Sequence, residues 1–250
     1  MRIVVTAASS SLGEAVVRRT LELGHQVLPT DRALGVCGDL KIVGCALSHP
    51  GDEEEEGGGQ LSVDELLAGA DYLIHLEPIA ARGGAWLDRC TRCTYNLLGA
   101  AAAGGLQRVA VASTMGLLEA YDEALTVLPE FQPMPSTQPE LLGPHLAEFT
   151  AREFARNTDL GISVVRLGGE HKPQSSDHRW CQTTEQAAAA LVDAVLEPHP
   201  NDGVDFTELQ DDAFGRFKVR ALERCRAAKY LLLDLLAGKV FTPYDMFGTN

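Results

Sequence analysis

Residues 2–13 read RIVVTAASSSLG, and their pattern predicts a strand, a tight turn and a helix. The β-branched run at residues 2–6 is typical of a short buried strand. Small residues follow at positions 7–11, and a helical pattern then covers residues 12–23 and stops at Gly24. The order strand, tight turn, helix places the unpaired N–H groups of a helix start just beyond the end of a strand. Because the helix dipole points at the same place, the turn favours binding of an anion.

The alternation of strands and helices continues along the chain. Further strands are predicted at residues 26–30, 72–76, 108–112 and 162–167, and further helices at residues 62–67, 84–103, 139–157 and 184–196. This spacing predicts a parallel sheet covered on both faces, a Rossmann-type doubly wound α/β fold. We predict an NAD(P)-binding domain over residues 1–170 and a small C-terminal substrate or lid region over residues 171–250. The pattern in that second region predicts one helix at residues 219–236.

Charge and composition exclude several classes of partner. The chain has 35 acidic and 21 basic residues, a formal net charge of -14, and a field of that sign repels nucleic-acid phosphates and anionic lipids. No apolar run reaches the roughly 18 to 20 residues that a membrane span needs. The chain enters its first strand without a charged leader. We therefore expect no nucleic-acid or membrane partner and a cytoplasmic location.

The six cysteines are scattered along an acidic chain, which favours reduced thiols. Cys90 and Cys93 form a Cys-x-x-Cys pair inside a predicted helix. No second Cys or His pair follows at the spacing of metal ligands. We predict a structural role for this pair and no metal site.

The turn after the first strand has the spacing of a Gly-x-x-Gly-x-x-Gly motif. Ala7 and Ser10 occupy the first two glycine positions, and Gly13 occupies the third. Small residues keep the turn tight, although the Cβ of Ser10 narrows the approach of a pyrophosphate. Asp31 ends the second strand, where a carboxylate accepts hydrogen bonds from both hydroxyls of an adenosine ribose and repels a 2′-phosphate. Asp31 therefore favours NAD over NADP, and the neighbouring Arg32 weakens that preference. The alternative is that Asp31 is only a turn residue.

Several stretches, taken in order over residues 1 to about 200, resemble the NAD-dependent epimerase/dehydratase branch of the short-chain dehydrogenase/reductase family. Residues 38–40 (GDL) resemble its adenine-contacting Asp, and residues 70–76 its fourth strand. Residues 96–114 resemble its helix, strand and catalytic Ser/Thr, and residues 165–173 resemble its Arg-Leu-x-Asn-x-Tyr-Gly-Pro stretch. The resemblance implies a dinucleotide site formed by Ala7, Ser10, Ser11, Leu12, Gly13, Asp31, Arg32, Asp39, Leu40 and Leu76.

The catalytic motif of that family is only partly present. Thr114 lies at the Ser/Thr position, where its hydroxyl would bond a substrate oxygen; the alternative is a cap at the strand end. The family's Tyr-x-x-x-Lys pair, in which Lys holds the nicotinamide ribose, is missing. One register places Glu140 and Pro144 at these positions, and a two-residue shift places Leu142 and Leu146 there.

Other side chains are candidates for parts of the site. His145 lies between the two registers, and a histidine moves protons near neutral pH. Tyr121 is a candidate substitute acid. His171 and Lys172 are predicted substrate contacts by resemblance. Glu77 replaces an alanine of the family after the fourth strand, and a carboxylate there raises the electrostatic cost of binding a pyrophosphate.

Two hypotheses follow for the function. The first is an NAD(P)-binding oxidoreductase or epimerase that resembles the NAD-dependent epimerases/dehydratases and acts on a nucleotide sugar or a small hydroxyl or carbonyl substrate. The alternative is a catalytically inactive Rossmann-fold sensor or oligomeric binding subunit. One form of this alternative binds no dinucleotide at all. The resemblance also implies a homodimer formed through helices that include residues 84–103.

Overall fold

The computed structural model describes residues 1–32, 35–45, 47, 61–80, 86–118, 133, 137–170, 181–196 and 217–221. The strands within these residues are β1 (Arg2–Val5), β2 (Gln26–Asp31), β3 (Gly35–Cys37), β4 (Leu40–Gly44), β5 (Tyr72–His75), β6 (Arg108–Thr114), β7 (Gly161–Leu167), β8 (Gly169–Glu170), β9 (Cys181–Gln182) and β10 (Phe217–Ala221). The helices are α1 (Ser11–Glu22), α2 (Val63–Leu67), α3 (Glu77–Ala80), α4 (Trp86–Asp88), α5 (Thr94–Ala103), α6 (Pro139–Asn157) and α7 (Thr184–Leu196). A π-helical turn, Arg89–Cys93, joins α4 to α5, and a 3-10 turn, Met115–Leu118, follows β6.

Within the described part of the chain, eight strands form one sheet in the order β10-β7-β6-β5-β1-β2-β4-β3. All neighbours pair in parallel except β3 and β4, which form an antiparallel hairpin. The strand order reverses at β1, because the chain moves to β2 on one side and later to β5 on the other. This is the topological switch point, and ligands of open α/β sheets bind beside it at the carboxyl ends of the strands. The predicted Rossmann-type doubly wound fold is confirmed.

The core lies in two layers, one on each face of the sheet. Ile3 and Val5 of β1 pack with α1 and α7, whereas Val4, between them, packs with α2, α5 and α6. Successive strand residues point to opposite faces, so a strand that is apolar at every position is buried on both sides. The two helix layers therefore follow from the continuous apolar strands of the sequence.

The structure corrects one predicted element after residue 170. Residues 219–221 belong to β10, which pairs in parallel with β7, so the helix predicted from residue 219 is wrong over these three residues. The reason is local: apolar Phe217, Val219 and Ala221 alternate with Lys218 and Arg220, which is the pattern of a strand. Residues 222–236 lie outside the described ranges.

The described residues of the predicted second region extend the first. Strand β10 continues the main sheet, and α7 packs against α1. The separate lobe predicted within residues 171–250 remains a prediction, because most of these residues lie outside the described ranges. Among the described residues, no helix has both the length and the apolar composition to cross a membrane.

Candidate functional site

The turn between β1 and α1 is held by its own side chains. Ser10 caps α1: its Oγ accepts the N–H of Gly13 at 3.0 Å and donates to the carbonyl of Ala7 at 2.7 Å. Ala7 has a φ of 51°, a left-handed conformation that favours glycine. A Cβ added to Gly13 would lie 2.3 Å from the Ala7 carbonyl oxygen, so the third glycine position of the motif admits glycine only.

Two backbone donors at this turn point to an anion site. Ser11 and Leu12 are the first two residues of α1, and their N–H groups donate to no acceptor among the described residues. The N–H groups before and after them are occupied, since that of Ser10 donates to Ala7 and that of Gly13 donates to Ser10 Oγ. A helix start with two unpaired N–H groups binds a phosphate through these donors and the helix dipole.

Asp31 lies beside this turn, at the end of β2. Its Oδ2 accepts the N–H of Ser9 at 3.0 Å and the hydroxyl of Ser9 at 2.6 Å, and its Oδ1 accepts the N–H of Arg32 at 2.7 Å. A carboxylate has about four acceptor positions, so one remains for a ligand hydroxyl. A second becomes available if the exposed Ser9 hydroxyl turns to water. The carboxylate is therefore fixed next to the anion site and retains the capacity to bind a diol.

The structure does not bring Asp39 and Leu40 to this edge of the sheet. Leu40 begins β4, and Asp31 pairs with Gly44 at the far end of that strand. Asp39 therefore lies at the amino ends of the parallel strands, opposite the anion site. Gly38, with a φ of 59°, forms the turn of the β3–β4 hairpin, within the stretch to which the resemblance assigned the adenine contact.

A buried histidine connects the end of β1 to the π-helical turn. His75 Nδ1 lies 3.0 Å from Thr6 Oγ1, and His75 Nε2 lies 3.0 Å from Thr94 Oγ1. Thr6 Oγ1 accepts the N–H of Leu76 at 2.9 Å, and Thr94 Oγ1 donates to the carbonyl of Arg89 at 3.3 Å. These contacts are all satisfied if Thr6 donates to Nδ1 and Nε2–H donates to Thr94, which assigns a neutral ring. Leu76 thus lies at the carboxyl ends of the strands, as predicted. No sequence pattern had assigned a role to His75.

The neutral ring of His75 predicts an acid-dependent loss of stability. Burial lowers the pKa of His75 to about 3, from an ordinary value of 6.5. Between these pH values the unfolded chain binds a proton that the folded chain does not, so stability is full above pH 6.5 and falls as the pH drops toward 3. His75→Gln should reduce the slope of unfolding free energy against pH by up to about 1.4 kcal/mol per pH unit in that window. Urea unfolding at several pH values measures both slopes, and equal slopes would contradict the assignment.

Glu77 lies at the carboxyl end of β5, on the other side of β1 from Asp31. It is 2% exposed, and its Oε2 lies 3.4 Å from a guanidinium nitrogen of Arg89. Burial raises the pKa of Glu77, Asp31 raises it further, and Arg89 and Arg32 act in the opposite direction. Among the described residues, Asp31 and Glu77 therefore place one carboxyl group on each side of the candidate anion site.

Thr114 ends β6 on the same edge. Its Oγ1 accepts the N–H of Gly116 at 3.1 Å, which caps the 3-10 turn. The hydroxyl hydrogen is not used by that contact, so Thr114 retains a donor for a ligand oxygen. Both interpretations of Thr114, strand cap and substrate contact, are compatible with this geometry.

A buried ion pair fixes α6 against the sheet beside Thr114. Glu148 of α6 binds Arg166 of β7 through two bonds of 2.8 Å and 2.7 Å, and it accepts the hydroxyl of Ser113 at 2.6 Å. All three residues are buried. Ser113 and Arg166 are direct neighbours on β6 and β7. No sequence pattern predicted this cluster. It adjoins the candidate catalytic residue Thr114, because Ser113 precedes Thr114 on β6.

The residues of the two registers on α6 differ in their burial and in the helix face on which they lie. Pro144 is buried and precedes Glu148 by four residues, so both lie on the face that packs on β6 and β7. Glu140 lies one further turn toward the start of the helix and is exposed. Leu142 and Leu146, six and two residues before Glu148, lie on other faces. In the register with Glu140 and Pro144, the second position is therefore buried on the same helix face as Glu148.

His145 lies next to this face and is half-buried. Its Nδ1 is buried and has no hydrogen-bond partner among the described residues. The other candidates, Tyr121, His171 and Lys172, lie outside the described ranges. The structure therefore brings together Ala7, Ser10, Ser11, Leu12, Gly13, Asp31, Arg32, Leu76 and Thr114 at one edge and leaves Asp39 and Leu40 at the other.

No protein-family model matches the sequence. No curated protein sequence matches it either. Similar solved structures exist, and they share the fold of this chain. A short-chain dehydrogenase/reductase superfamily protein from Agrobacterium tumefaciens, solved with bound NAD, has a TM-score of 0.62 at 17% identity, with 80% of this chain and 75% of that chain covered.

Two further structures come from enzymes of named activity. Glucuronic acid dehydrogenase from Chromohalobacter salexigens has a TM-score of 0.64 at 21% identity, covering 79% of this chain and 72% of that chain. UDP-N-acetylglucosamine 4-epimerase from Bacillus cereus has a TM-score of 0.58 at 18% identity, covering 78% of this chain and 74% of that chain. The predicted resemblance to this group of proteins is thus confirmed at the level of the fold.

Proposed function

We propose that this chain is a dinucleotide-binding member of the short-chain dehydrogenase/reductase family that uses NAD in preference to NADP. The observation that carries the proposal is the pair of unpaired N–H groups of Ser11 and Leu12 beside the Asp31 carboxylate. A pyrophosphate needs the first feature and an adenosine ribose needs the second. They lie at the switch point of the sheet, where this fold binds its ligands.

The preference for NAD rests on charge. Asp31 and Glu77 lie on either side of the turn, and a 2′-phosphate bound near Asp31 would meet a carboxylate that already accepts three hydrogen bonds. Arg32 is the nearby cation that opposes this repulsion. We infer that repulsion by Asp31 outweighs attraction by Arg32, because backbone N–H groups of Ser9 and Arg32 hold the Asp31 carboxylate in place.

The reaction that fits the edge is hydride transfer at a carbon that carries a hydroxyl or carbonyl group, on a nucleotide sugar or a smaller substrate. A nicotinamide dinucleotide supplies the hydride acceptor or donor when bound. Thr114 would hold the substrate oxygen through its remaining hydroxyl hydrogen. His145, His171 and Lys172 are the proposed further contacts, with His145 as the candidate for proton transfer.

A second candidate is a protein that binds the dinucleotide without turnover. Pro144 is the specific observation in its favour: a buried proline occupies the face of α6 directed at the strand ends, where a proton-transferring or cationic side chain would be needed. Steady turnover of any hydroxyl substrate would exclude this candidate.

The homodimer and the cytoplasmic location also remain proposals. Exposed Tyr95 and Phe149, on α5 and α6, are the residues to test for dimer contacts.

Titration calorimetry of NADH tests the proposed site. Asp31→Ala removes the acceptor for the adenosine ribose and should lower NADH affinity at least about tenfold, because hydrogen bonds to a charged group contribute roughly 1.5–3 kcal/mol each. Glu185→Ala, which removes an exposed carboxylate of α7, is the matched control and should leave the affinity unchanged. The proposal fails if the folded wild-type protein does not bind NADH at millimolar concentration.

A further inference from the structure

Glu77 has unused capacity to bind a ligand. Its carboxyl group is almost fully buried, yet among the described residues its hydrogen-bond partner is Arg89 alone, at a long 3.4 Å. A carboxylate offers about four acceptor positions, and buried polar groups in folded proteins are nearly always satisfied. A buried carboxyl group with one weak partner, at the ligand-binding edge of a sheet, therefore calls for a further partner.

Side-chain hydrogen bonds connect the residues around Glu77. Arg89 belongs to the π-helical turn, and the carbonyl of Arg89 accepts the hydroxyl of Thr94, which His75 also contacts. His75 in turn contacts Thr6 at the end of β1. These contacts tie the π-helical turn and the carboxyl end of β5 to the phosphate-binding turn. A ligand group beside Glu77 would meet a site whose geometry is set before binding.

The topology specifies which part of a dinucleotide reaches Glu77. The anion donors Ser11 and Leu12 lie at the start of α1, directly after β1, and β1 lies between β2 and β5. A dinucleotide with its pyrophosphate at α1 and its adenosine ribose on Asp31 of β2 must extend its other half over the end of β5. Glu77 follows β5 by two residues. The two carboxyl groups are thus placed on opposite sides of the pyrophosphate.

We propose that Glu77 binds the second ribose of the dinucleotide by accepting hydrogen bonds from its vicinal hydroxyls, as Asp31 does for the adenosine ribose. The proposal rests on the proposed function and names a further binding residue for it. Arg89 holds the carboxyl group in place and offsets its charge. The site then recognises a ligand with two diols separated by a pyrophosphate.

Glu77 could instead weaken ligand binding by repelling the pyrophosphate. The two effects change ligand affinity in opposite directions when Glu77 is removed. If the carboxyl group only repels the pyrophosphate, its removal strengthens the binding of every pyrophosphate ligand. If it binds the second ribose, its removal weakens only those ligands that contain that ribose. ADP-ribose and ADP provide this comparison, because ADP-ribose carries the second ribose and ADP does not.

The experiment is titration calorimetry of ADP-ribose and ADP with the wild-type protein, Glu77→Ala and Glu77→Gln, with Glu185→Ala as the matched control. We expect Glu77→Ala to lower the affinity for ADP-ribose about tenfold and to change the affinity for ADP less than about twofold. Glu77→Gln keeps the volume and an amide acceptor without the charge, so its loss should be intermediate. Thermal unfolding of each variant verifies that it is folded.

Three results would overturn the inference. They are an unchanged affinity for ADP-ribose in both folded variants, an equal change for both ligands, and stronger binding of either ligand. Failure of the inference alone is recognised when Asp31→Ala weakens ADP-ribose binding but the Glu77 variants do not. If the wild-type protein binds neither ligand, the proposed function falls and the inference falls with it.

Discussion

Replacing Glu148 with alanine is expected to lower the free energy of unfolding by about 3–5 kcal/mol. Glu148 binds Arg166 through two short bonds and accepts the hydroxyl of Ser113, and all three groups are buried. Removal of the carboxylate leaves the buried guanidinium of Arg166 without its counter-charge and the hydroxyl of Ser113 without this acceptor, so the cost of desolvating the charge falls on the folded state. Urea unfolding at neutral pH measures the loss.

Glu153→Ala is the matched control for this prediction. Glu153 lies on the same helix and pairs with Arg156 at 3.2 Å on the surface, and such exposed pairs contribute less than about 1 kcal/mol. The double variant Glu148→Leu with Arg166→Met should recover most of the stability, because a buried pair can be replaced by apolar side chains of similar volume. A loss below about 1 kcal/mol in Glu148→Ala would contradict the prediction.

Replacing Gly13 with alanine is expected to cost about 2–3 kcal/mol and to weaken dinucleotide binding. The new Cβ would lie 2.3 Å from the carbonyl oxygen of Ala7 and 2.7 Å from the Cα of Ala8, which are backbone atoms that cannot move aside alone. The turn must therefore shift away from α1, and overpacking of this kind costs roughly 1–3 kcal/mol. The shift also displaces the N–H groups of Ser11 and Leu12, so NADH affinity should fall in a calorimetric titration.

Gly99 provides the control, because it is also a helical glycine. A Cβ at Gly99 meets only the Cζ of Phe154, at 3.9 Å, which is an ordinary contact. Gly99→Ala should therefore stabilise the protein by roughly 0.5–1 kcal/mol through helix propensity. Equal effects of the two substitutions on stability would contradict the close packing of α1 against the turn.

The sequence predicted those parts of the fold that local patterns determine. The strand, turn and helix at residues 2–13 follow from a β-branched run, small residues and a helical pattern, and their order fixes the position of the anion site. The spacing of Gly13 and Asp31 follows from the same unit. The parallel sheet follows from the alternation of apolar strands with helices, because each crossover must return the chain to the same edge.

The sequence did not predict contacts between distant elements. The bond between Glu148 and Arg166 joins a helix to a strand, and the chain of contacts from Thr6 through His75 spans nearly 70 residues; neither leaves a periodic signal. Residues 38–40 resemble an adenine-contacting stretch, but they form a hairpin turn, and only the pairing of β4 with β2 places that turn at the amino ends of the parallel strands.

A backbone amide NMR titration of the wild-type protein with NADH tests whether the turn between β1 and α1 binds the dinucleotide. We expect the amide signals of Ser11 and Leu12 to shift by the largest amounts, because their N–H groups gain a charged acceptor, and those of Asp31 and Ser9 to shift by smaller amounts. The amide of Asp39, at the opposite edge of the sheet, should not move. Shifts confined to other parts of the chain, or no shifts at millimolar NADH, would contradict the account.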